Sequence, residues 1–172
     1  MRQVIKRIFT LTLLTTFILF SGIVTLIIYP QPLFANKLEF GRFRVYSPTA
    51  INKDIKTILE NALSLVEKSE LHDPNYRYDI FISHHSFYNK LDDVVLGNKP
   101  SARATDNNVV IKARIDVVRN LAFPTFYQPC ETDLTILIAH EMVHSLQDNK
   151  YGKLKFNPFW PVEIWKLEGY PE

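Results

Sequence analysis

The residues with the clearest chemistry are His140-Glu141-Met142-Val143-His144, set inside the stretch Thr132 to Gly152. Asp133 or Thr132 supplies a helix start and Gly152 a stop, so the spacing predicts a helix with this pattern in its middle. At about 100° per residue, histidines four apart lie about 40° apart around a helix and roughly 6 Å apart along it. Both imidazoles can then reach one ion. Zn²⁺ suits such a pair, because it takes histidine nitrogen at about 2.0–2.1 Å, imposes no geometry of its own and in catalytic sites keeps a position open for water. Glu141 falls too far round to be a further ligand on the same helix, but it can accept a proton from that water. Chance would produce the pattern in roughly one sequence of this length in a hundred, so its context decides. Here the context is a helix that is apolar round most of its girth: Ile136, Ile138, Ala139, Met142, Val143 and Leu146 cover the far side, and Leu134 and Leu137 lie above the polar stripe. Such a helix is expected to be buried. Two imidazoles and a carboxylate placed there cost free energy unless something satisfies them.

The elements that must position this helix are short. Leu38 to Tyr46 alternates as a strand, with Phe40, Phe43 and Val45 inward and Gly41 as a bulge. Ile51, Ile55, Ile58, Leu59, Ala62, Leu65 and Val66 recur at helical spacing, with Ser47 and Pro48 as start signals. Tyr76 to Ser83 is a second strand, with Tyr76, Tyr78, Ile80 and Ile82 on one face and Phe81 on the other. Ser86 to Leu96 has the length for a short helix, Gly97 to Asp106 reads as loop, and Asn108 to Ile115 has the β-branched content of a third strand. Pro124 to Cys130 is a further loop, whose single cysteine reads as a small packed residue. Strands and helices in this order belong to an α+β domain with helices against a small mixed sheet.

The N-terminus has a different character. From Ile8 to Tyr29 there are 22 residues without a charge, and about 20 apolar residues cross a bilayer core as a helix. A cleaved signal has an apolar stretch of only about 7–15 residues and small residues at its cleavage site. Leu33 stands where one of those small residues would be needed, so the segment reads as a retained anchor. Arg2, Lys6 and Arg7 precede it, and the positive-inside rule keeps them cytoplasmic and the domain outside. Tyr29-Pro30-Gln31-Pro32-Leu33-Phe34 reads equally as an interfacial exit or as a plain linker. The organisation is thus a basic tip (1–7), a transmembrane anchor (8–29), a linker (30–37) and one domain (38–172). Three of the 20 basic residues lie in the tip, leaving 17 against 18 acidic ones, so the rest of the chain has no electrostatic footprint for nucleic acid.

Past the helix, Pro161 starts a short C-terminal helix, Val162 to Tyr170, and the chain from there on offers Glu163, Glu168 and Glu172. The stretch Trp165-Lys166-Leu167-Glu168-Gly169-Tyr170-Pro171-Glu172 resembles the Trp-x-x-Glu-Gly-x-x-Glu motif of the gluzincins, the thermolysin-like branch of the HExxH zinc metallopeptidases. In that branch the first glutamate of the motif is a zinc ligand. The anchor and its exit also resemble those of bacterial membrane-anchored proteins of this type. The resemblance implies a zincin-like fold, Zn²⁺ held by His140, His144 and Glu168, and hydrolysis of a peptide or protein substrate with Glu141 as base. Glu168 lies 24 residues after His144. Glu163 is about 140° from Glu168 on a helix and cannot share its ion. Glu172 shares a face with Glu168 and reads either as an acceptor for a ligand histidine or, as the last residue, as a frayed end.

The family's second helix continues beyond this point and its later residues include an oxyanion-stabilising His or Tyr, so the sequence reads as a shortened relative. The alternative is a non-catalytic zinc-binding domain acting as an envelope interaction module. His84 and His85 follow a strand and point to opposite sides, which makes them a solvated pair rather than ligands. By analogy with the edge strand of these enzymes, a substrate would add as an extended strand along Asn108 to Ile115. Nothing in the sequence specifies an oligomeric state.

Overall fold

The computed structural model describes residues 2–84, 86–96, 101–123 and 131–152. It is an α+β fold with a five-stranded mixed sheet and a small antiparallel sheet. The main strands are β1 (Asn36–Phe40), β2 (Phe43–Ser47), β3 (Tyr78–Ile82), β4 (Ala102–Thr105) and β5 (Asn108–Ile111), in spatial order β1-β2-β3-β5-β4. The pairs β2–β3 and β3–β5 are parallel, while the outer pairs are antiparallel hairpins. Helices α2 (Ile55–Val66) and α3 (Phe87–Leu96) lie in the connections that the two parallel pairs require.

Period-2 alternation divides the core into two layers. Val45, Ile80 and Val109 stand in one row across the sheet and Tyr46, Phe81 and Val110 in the next. The first row faces Ile55, Ile58, Leu59, Ala62 and Val66 of α2, together with the last helix, α4 (Leu134–Tyr151). The second row faces Phe34 and Tyr88, with Tyr46 and Phe81 stacked at 4.8 Å. Full burial of each such side chain contributes about 1.5–3 kcal/mol.

Several expectations are corrected. The stretch from Leu38 to Tyr46 is not one bulged strand but part of a hairpin. Phe40 pairs with Phe43, and Gly41 has φ +51° in the two-residue turn between them, where a side chain would be strained. The helix expected from Ser47–Pro48 begins only at Ile55, because Ser47 is the last residue of β2 and Asn52 caps the intervening turn by accepting from the Asp54 amide at 3.0 Å. Leu65 sits at the edge of the stripe and is exposed.

The expected strand Asn108 to Ile115 stops at Ile111. The amides of Lys112 and Ala113 both donate to the Ser101 carbonyl, at 2.8 and 2.9 Å, and this ends the ladder. The chain then enters the small sheet, β6 (Arg114–Asp116), β7 (Leu121–Phe123) and β8 (Thr132–Asp133). β5 is paired on both sides, so no substrate strand can add along it. The edge strands of this sheet are β1 and β4, and β4 lies within the segment expected as loop.

The N-terminal helix α1 (Arg2–Ile28) contains a 26-residue stretch, Gln3–Ile28, long and apolar enough to cross a membrane, with mean hydropathy 2.4 over an 18-residue window. Its threonines at 10, 12, 15, 16 and 25 each donate to the carbonyl four residues back at 2.8–3.0 Å. This removes the cost of a hydroxyl in an apolar surrounding. The stretch expected as linker is packed into the domain: Gln31–Leu33 forms a 3₁₀ turn, Phe34 joins Phe81 and Tyr88, and β1 begins at Asn36. The helix ends on the domain itself, as Tyr88 Oη donates to the Ile27 carbonyl at 3.3 Å and Asn108 Nδ2 to the Ile28 carbonyl at 2.9 Å.

Candidate metal centre

α4 is fixed at its start and in its middle. Leu134, Thr135 and Ile136 have amides with no partner inside the helix. They donate to the Asn120 carbonyl, the Asn120 Oδ1 and the Asp133 Oδ1, at 3.0, 3.1 and 3.0 Å. Asn120 reaches them from a left-handed backbone, φ +55°, which asparagine tolerates better than most residues. Asp133 is therefore the cap expected from the sequence, and Gly152, with φ +79°, is the stop. Further along, Tyr76 Oη donates to the Ser145 carbonyl at 3.2 Å, Ser145 Oγ donates to the Asp106 carbonyl, and the Asp106 amide donates to Asp148 Oδ2 at 3.2 Å. Burial pushes the Tyr76 phenol up to about 12, so it keeps its proton at neutral pH. These bonds tie Tyr76 and the turn between β4 and β5 to the helix in the turn just past His144.

As expected, α4 is buried round most of its circumference, although Ile136 is 60% exposed instead of lying on the covered side. Glu141 is buried, and the two histidines are half-buried on a common stripe. His140 Nε2 and His144 Nε2 are 3.0 Å apart, with the rings at 83° to each other. Two nitrogens about 2.05 Å from one tetrahedral ion would be about 3.3 Å apart, so the pair fits a shared ion after a shift of a few tenths of an ångström. The geometry also disfavours two bare lone pairs, which repel at this distance unless a proton or a cation lies between them.

The sequence reading missed Gln147. Its Oε1 is 2.9 Å from His144 Nδ1 and its side chain is buried. With the Nδ1 proton donated to this oxygen, His144 presents Nε2 as the acceptor, the arrangement that orients metal-binding histidines generally. The available signal was its place three residues on from His144, on the same helical face. Gln147→Leu is expected to weaken zinc binding about 10–100-fold with the helix intact. Zinc titration of the variant against a competing chelator measures this, and an unchanged affinity would remove Gln147 from the site.

The other expected site residues divide as follows. Among the described residues, no third His, Cys, Asp or Glu groups with His140 and His144. Glu168, with Glu163 and Glu172, lies outside the described residues, as do His85 and Cys130. His84 is at the end of β3, with its Nδ1 3.2 Å from the Lys112 carbonyl. Compared with known protein families, curated proteins and solved structures, the chain matches none.

Proposed function

We propose that the protein is a membrane-anchored, zinc-dependent metallopeptidase of the gluzincin type that cleaves peptide bonds outside the cytoplasm. The observation that carries this reading is the convergence of His140 and His144 Nε2 at 3.0 Å, with Gln147 holding the second ring. His140, His144 and Glu168 would hold the ion. When bound, zinc supplies a Lewis acid that polarises a carbonyl and acidifies water. The chain's own contribution is proton movement and placement. The Glu141 carboxylate takes a proton from the attacking water and passes it to the leaving amine, so that the peptide bond is exchanged for a carboxylate and an amine. Buried beside the two imidazoles on the same helix, Glu141 is held where little bulk water competes for it.

An extended substrate would add at β4, the edge strand on which α4 packs. α1 would anchor the chain, with Arg2, Lys6 and Arg7 on the cytoplasmic side. Incubating the full chain in detergent with a peptide library tests the activity. Cleavage should stop on adding a zinc chelator and return on adding zinc. Cleavage indifferent to the chelator would contradict the reading, and bound zinc without any cleavage would favour the non-catalytic zinc-binding domain.

A further inference from the structure

Helix α3 is built the wrong way round for a helix that faces water. On a helical wheel at about 100° per residue, Phe87, Leu91, Val94 and Val95 occupy an arc of about 100°. This arc points outward: Phe87 is 63% exposed and Val94 83%. The inward side carries Tyr88 and Asp92, both fully buried, and Asp93. Asp92 meets Lys112 at 3.0 Å and Arg103 at 2.7 Å, and Asp93 pairs with Lys112. A helix on the surface of a soluble domain turns its apolar stripe to the core and its charges to solvent. α3 does the reverse, and two basic side chains inside the domain match the charges it turns inward.

The neighbouring element shows what lies against the outward face. α3 packs on the end of α1, where Tyr88 Oη donates to the Ile27 carbonyl. Ser21, Ile23, Val24, Leu26 and Ile27 are partly covered, whereas the described side chains of α1 up to Phe20 are exposed. α3 is therefore fixed beside the last two turns of the apolar span, with Phe87 and Val94 outward.

We propose that α3 is an interfacial membrane helix, and that Phe87, Leu91 and Val94 sit in the headgroup and upper acyl region of the bilayer that α1 crosses. The inference rests on the reading of α1 as a retained membrane anchor. Lys90 flanks the apolar arc and is exposed, so its ammonium can reach lipid phosphates while its stem lies on the apolar face. The sheet then lies between the bilayer and α4, so His140 and His144 are on the aqueous side of the domain, within reach of soluble protein segments.

Depth-dependent fluorescence quenching tests this. Cys130 is the only cysteine, so a Cys130→Ser chain takes an environment-sensitive dye at one added cysteine: Val94→Cys on α3, Phe17→Cys in the middle of α1, or Glu60→Cys on the exposed side of α2. Each full-length chain is reconstituted into vesicles of phosphatidylcholine with a minority of phosphatidylglycerol. Some vesicles carry nitroxide lipids labelled near the headgroup and others near the chain end. The dye at position 94 should be blue-shifted and quenched at least about twofold more by the shallow nitroxide than the dye at position 60. The dye at position 17 should be quenched more by the deep nitroxide. If position 17 is quenched and position 94 behaves like position 60, α3 does not touch lipid and the inference is wrong, leaving a protein partner as its cover. If position 17 is not quenched, the anchor reading fails, and the inference falls with it.

Discussion

Glu141→Gln is expected to reduce peptide hydrolysis by about 10²–10⁴-fold, the usual contribution of a positioned general base, while zinc content stays at the wild-type level. The amide is nearly the same size as the carboxylate and fits the same buried place on α4, but it cannot take a proton at neutral pH. His144 is held by Gln147 and the two rings meet through Nε2, so the pair keeps these contacts when the carboxylate becomes an amide. Steady-state cleavage and metal analysis on the same preparation separate the two roles. Activity equal to wild type would exclude Glu141 as the base. Loss of zinc together with activity would show that it serves the metal site instead.

The second large effect concerns stability. Asp92 is fully buried between Lys112, itself almost completely buried, and Arg103. Removing one partner of a buried ion network leaves charge without its counter-ion in a low-dielectric place, which costs about 3–5 kcal/mol. Asp92→Ala should therefore lose about 3–5 kcal/mol in denaturant unfolding of the full chain in detergent, read as a lower midpoint at unchanged slope. Replacing Asp92 and Lys112 together by Leu and Met should recover only part of the loss, since the unpaired ammonium is removed with its partner while Arg103 and Asp93 each still lose one. A loss below about 1 kcal/mol for the single change, the value of an exposed pair, would mean that water reaches the network.

These two sites differ in how far the sequence discloses them. The motif helix was legible because its signals are local: a capping Asp133, a stop at Gly152, an apolar stripe, and two histidines one turn apart. Phe81 against Ile80 was legible from period-2 alternation, and the apolar run of α1 from length alone. β4 was not, because Ala102-Arg103-Ala104-Thr105 alternates only alanine with polar residues, a signal too weak to read as a strand, and it pairs with β5 in the fold. The strands of the small sheet are two or three residues long, too short for any periodicity. Asn120 satisfies α4 from 15 residues before Thr135, and Asp92 meets Lys112 across 20 residues. Contacts at such separations are products of the folded chain and leave no spacing to read. Gln147 is the exception, since its place one turn beyond His144 was open to inspection.

The most direct test of the account is the zinc content of the purified full chain, measured for the wild type and for His140→Ala, His144→Ala and Glu168→Ala. Two imidazoles with a carboxylate predict one zinc per wild-type chain, none retained after either histidine change, and a large loss after the glutamate change. A wild-type chain that carries well under one zinc, or a His140→Ala chain that keeps its metal, would contradict the account.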